Sequence, residues 1–93
     1  MNNIYEKILN LRDNISSTDQ KARDKVDFLS KLMIVAFENN DVLPDSFYLQ
    51  KVFVNEDEAK SLLIALGIAS EVTIKNDSFI GGKLLKININ KWN

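Results

Sequence analysis

The chain has 93 residues, with 12 basic and 13 acidic side chains, a formal net charge of −1 and neither histidine nor cysteine. That length suits one α+β domain spanning 1–93 with a single hydrophobic core, and leaves no room for a second. The balanced charge argues against a strongly basic nucleic-acid binder and a strongly acidic DNA mimic, and the missing residue types remove disulfides, thiolate zinc sites and the commonest catalytic base and nucleophile.

Asn3 to Ile15 predicts a first amphipathic helix: Asn3 and Glu6 form a capping box, and Ile4, Ile8, Leu11 and Ile15 repeat on one stripe. A helix of roughly a dozen residues is marginal alone in water, so it docks. Its surface is the domain's own core or, through Tyr5, Ile8 and Leu9, a dimer or other partner. The start Met1-Asn2-Asn3 lacks the basic-then-apolar pattern of a leader, and no apolar run approaches the ~18 residues of a membrane span, so a cytoplasmic protein without a membrane partner is expected. The many Asn, Lys and Ile residues suit an AT-rich coding sequence such as a phage or plasmid gene.

After the short polar connection Asp13-Asn14-Ile15-Ser16-Ser17, the dominant element of the chain is Thr18 to Asn39. Ser17 and Gln20 fit a second capping box, Asp19 complements the helix dipole, and Asn39-Asn40 supplies a left-handed stop. Ala22, Val26, Leu29, Met33 and Ala36 make its apolar stripe. Charged side chains solvate the first half, whereas Leu32-Met33-Ile34-Val35-Ala36-Phe37 is apolar around the full circumference, so that end should be covered on every side by the core or by another subunit.

Pro44 forbids a helix through the segment that follows and biases Leu43 to an extended conformation. Phe47 to Val54 reads either as a strand, from its aromatic and β-branched content, or as a short helix capped by Asp45. Asn55 to Leu66 predicts a helix with Asn55 and Glu58 as its capping box and Gly67 as its stop. Ala59, Leu62, Leu63 and Leu66 form the buried face, widened by Ile64 and Ala65 until the helix is nearly covered. Glu56, Asp57 and Glu58 point about 100° apart on a helix, so they cannot converge on one metal ion and are explained by the dipole.

The last third alternates as a hairpin, Glu71 to Lys75 and Lys83 to Asn90, with Leu85, Ile87 and Ile89 on one side. The seven-residue connection from Asn76 to Gly82 is long for a hairpin and carries Phe79 and Ile80 at its tip. Gly81-Gly82 lacks the spacing and the following helix of a phosphate-binding loop. No catalytic residue, metal site or cofactor is therefore expected.

Two functions compete. The first is a non-catalytic protein-interaction module, a regulatory or inhibitory subunit that occupies a partner's surface and self-associates as a homodimer, with Phe37, Phe79, Ile80 and Trp92 as its contact residues. The alternative starts from the run Ala59 to Ile68 followed by a hairpin ending Gly81-Gly82-Lys83-Leu84-Leu85-Lys86, which resembles the second half of a winged-helix transcriptional regulator. That resemblance implies nucleic-acid contact through Lys60, Lys75, Lys83 and Lys86. It is disfavoured because the would-be recognition helix opens with Glu56, Asp57 and Glu58, which repel phosphate, and because lysines on an edge strand commonly serve to prevent aggregation.

Overall fold

A computed structural model describes residues 3–16, 18–79 and 82–93 of the chain. Among them the order is α1 (Ile4–Asp13), α2 (Gln20–Glu38), β1 (Ser46–Gln50), α3 (Glu56–Ala65), β2 (Ala69–Phe79) and β3 (Gly82–Trp92), a small α+β fold. The chain divides into two compact units, Met1–Leu43 and Pro44–Asn93, with the boundary immediately before Pro44.

In the first unit α1 and α2 pack on each other. Asn3 caps α1 as its sequence predicts, its side-chain oxygen accepting from the Glu6 N–H at 3.0 Å. The second cap differs from expectation. Asp19, not Ser17, is the N-cap of α2, and its Oδ1 accepts from the Ala22 N–H at 2.8 Å. A carboxylate makes a stronger charge-assisted bond to backbone N–H than a hydroxyl does. Gln20 is then the first helical residue and donates to Asp24 instead of reaching back to a cap; Ser17 lies outside the described residues.

The stop of α2 follows its asparagines. Asn39 donates from its side chain to the Val35 carbonyl at 2.7 Å, Asn40 and Asp41 take positive φ of 59° and 65°, and the Asp41 N–H returns to the Ala36 carbonyl at 2.7 Å. That six-to-one bond is the Schellman closure of a helix. Asp41 also reaches α1: its Oδ1 accepts from the Tyr5 N–H at 2.7 Å, satisfying a second unpaired donor at the start of that helix.

Ile4, Ile8, Phe28, Leu29, Leu32, Met33 and Ala36 are buried. The chain itself does not cover the apolar end of α2 on every side, however: Ile34 is 57% and Phe37 76% exposed. Both lie on the side of Ser30, next to α1, and α1, 10 residues long with Ile4 and Ile8 as its buried positions, does not reach over them.

In the second unit Ser46–Gln50 is a strand, with alternating burial that places Phe47 and Leu49 inward. The order is therefore helix-helix-strand-helix-strand-strand. The helix that a winged-helix arrangement needs ahead of α3 is a strand instead, because it pairs antiparallel with β3, Phe47 opposite Ile87 and Leu49 opposite Leu85. The sheet order is β1-β3-β2. The hairpin strands are longer than their alternation predicts: β2 continues through Asn76, Asp77 and Ser78 to Phe79, which pairs with Gly82, so the described residues of the expected loop are strand. Ladder hydrogen bonds to β3 override the poor strand propensity of those polar residues.

Asn55 caps α3, accepting from the Glu58 N–H at 2.7 Å, and Gly67 with φ 72° follows its end. The helix packs on β2 with Ala59 and Leu63 buried. Ile64, 39% exposed, and Ala65 face outward, so α3 is amphipathic and not nearly covered. One neighbouring strand gives a helix of this length one face to bury.

Candidate protein-interaction face

Successive helical residues turn by about 100°, so in α2 Ser30, Ile34, Phe37 and Glu38 share one side while Leu32, Met33 and Ala36 point toward the interior. Beside that side runs α1, antiparallel to α2. Tyr5 at its start is tied to Asp41 beyond the end of α2, and Arg12 near its end donates from Nη1 to Ser30 Oγ at 3.3 Å. Between the two helices lies an open groove of about 530 Å³, floored by Tyr5, Met33, Ile34 and Phe37. Arg12 and Ser30 stand at one end of it and Glu38 at the other. A second open depression of about 540 Å³ shares Tyr5 and Phe37 and is rimmed by Asn3, Asn40 and Asp41, which makes Phe37 the ridge between them.

Phe37, singled out in the sequence, is thus the most exposed large apolar side chain of this unit, and Tyr5, also expected at a surface, stands next to it. Ile8 and Leu9 do not join them: Ile8 is fully buried and Leu9 half-buried. Ile34, Arg12 and Glu38 escape a reading by sequence. Ile34 reads as one more residue of an apolar run, and the two ions become neighbours of the groove only once α1 lies antiparallel on α2.

The other expected contact residues belong to the second unit. Trp92 ends β3, 41% exposed, with its indole N–H donating to Asp45 Oδ1 at 2.8 Å. Ile80 and the side chain of Phe79 lie outside the described residues.

The four lysines of the alternative do not form one patch. Lys75 and Lys86 are direct cross-strand partners on the outward face of the sheet, and Lys86 Nζ lies 5.9 Å from the centre of the exposed Tyr48 ring. Lys83 sits on the opposite face of β3, the face of Leu85, Ile87 and Ile89, and borders a depression of about 290 Å³ with Glu56, Asp57 and Asn76. Lys60 is exposed on α3. The acidic side chains beside Lys83 cancel its appeal to phosphate, which leaves Lys75 and Lys86 as the basic pair. Compared with known proteins, the chain matches no protein family, no curated protein and no solved structure.

Proposed function

We propose that this protein is a non-catalytic interaction module, a regulatory or inhibitory subunit that works by occupying a protein surface through the outward side of α1 and α2. The supporting observation is Phe37, 76% exposed beside Ile34 and Tyr5 over an apolar groove. Single exposed apolar residues are ordinary, but adjoining large ones with polar and charged side chains at the rim have the composition of an interface centre. Chemistry argues in the same direction, since a chain without His or Cys cannot assemble the common acid–base or nucleophilic constellations.

The test compares the wild-type chain with Phe37→Gln by light scattering at high concentration and by retention of host proteins on the immobilised chain. The expected result is a species heavier than the monomer, or a retained protein, in the wild type alone. Identical behaviour of the two chains in both assays rules the reading out.

A second reading, weak phosphate-backbone binding, draws support from Lys75 and Lys86 beside Tyr48 on the outward sheet face. Binding to random duplex or single-stranded DNA that falls steeply with salt and is lost in Lys75→Ala/Lys86→Ala would favour it, and no binding at low salt would retire it.

A further inference from the structure

We infer that the occupant of the α1–α2 groove is a second copy of this chain, packed through a two-fold axis at Ile34 that sets the two α2 helices antiparallel. This deepens the interaction reading above and rests on it. Ser30 and Glu38 each lie four residues from Ile34, so along the helix axis they stand about 6 Å on either side of it. A two-fold through Ile34 exchanges those positions. It brings Glu38 of the partner subunit to Ser30, where the Arg12 guanidinium is already held at 3.3 Å from the hydroxyl, and by symmetry repeats the same pair at the other end.

The groove therefore carries its own complement: at one end Arg12, whose Nε also stands 3.7 Å from Asp13 Oδ1 and whose Nη1 faces Ser30, at the other the carboxylate of Glu38, and Ile34 and Phe37 in the middle. An isologous dimer requires such a patch, in which the surface of one copy meets the same surface turned over. Glu38 is exposed, and α2, 19 residues or about 28 Å long, offers an extended line of contact on either side of the axis.

Charge reversal tests the geometry. Arg12→Glu places two like pairs across the axis, as does Glu38→Arg, so each variant alone should dissociate at least about tenfold more readily than the wild type. An equimolar mixture of the two restores both ion pairs and should form a heterodimer of wild-type affinity, read by light scattering or by exchange of differently labelled chains. A cysteine scan gives an independent readout, because the chain has no cysteine of its own. Ile34→Cys, on the axis, should cross-link to itself with copper phenanthroline, whereas Asp24→Cys, about 15 Å along the helix, should not.

Failure of the mixture to associate beyond either variant, or equal cross-linking at positions 24 and 34, overturns the antiparallel two-fold. A wild-type chain that stays monomeric yet retains a different protein through Phe37 also overturns it, while leaving the broader interaction reading in place. If Arg12→Glu fails to fold, the two cysteine variants decide the matter alone.

Discussion

The helical unit and the sheet unit solve the same problem differently. In the sheet unit strand alternation separates the two faces: Phe47, Leu49, Leu85, Ile87 and Ile89 are buried, and the opposite face carries Tyr48, Thr73, Lys75, Lys86 and Asn88. In the helical unit six consecutive apolar residues turn through the full circumference of α2, and only part of that surface is buried. A period-two element can hide all its apolar side chains on one face, while an apolar run on a helix always leaves some outside unless two sides are covered. What that run leaves over is Ile34 and Phe37, side by side on the groove and the basis of the proposed interaction, whereas the sheet unit leaves Phe53 exposed in the connection after β1 and Tyr48 on the outward sheet face.

That contrast can be broken most severely in the interiors. Phe28→Ala in the helical unit and Leu85→Ala in the sheet unit each remove a fully buried side chain and should cost about 3 kcal/mol, read from urea unfolding. Against a total on the order of 5 to 14 kcal/mol for a chain of this length, a loss under about 1 kcal/mol at either site would mean that the site is not the interior it looks to be.

Next in size is Asp41→Ala. It removes the acceptor on the Tyr5 N–H and puts a residue with no local hydrogen-bonding side chain at φ 65°, so a loss of about 1–2 kcal/mol is expected. The equivalent change in the other unit, Asn55→Ala, removes only the cap on α3 and should cost about 1 kcal/mol in the same measurement. If the two changes are equal, the link from Asp41 to α1 adds nothing to an ordinary cap.

The smallest expected effect sharpens the comparison furthest. Phe37→Gln should leave monomer stability within about 0.5 kcal/mol, because the side chain is already wet, while abolishing the proposed self-association. A stability loss as large as that of Phe28→Ala would show that Phe37 is covered within its own chain.

How much of this could be read from the residues follows the range of the interactions. Asn3, Asn55, Asn40 and Gly67 are legible because caps and left-handed stops depend on a few neighbours in sequence. Asp19 displaces Ser17 because several cap-forming residues stand close together, and local signals do not rank them. The strand at Ser46–Gln50 and the polar stretch of β2 exist because β3 lies alongside them, and such pairing between distant segments leaves no mark on either alone. At the candidate site Phe37 and Tyr5 stand out by type, whereas Arg12 and Glu38 acquire meaning only from the antiparallel packing of two helices.

The Asp41 bond to the start of α1 has a consequence for recognition. It ties the start of α1 to the end of α2, so the backbone that carries Tyr5 and Phe37 is held by hydrogen bonds of the chain's own. In the proposed docking the ordering cost would then fall on the rotamers of a few side chains, and a modest contact area could suffice where a mobile segment would forfeit its gain to ordering.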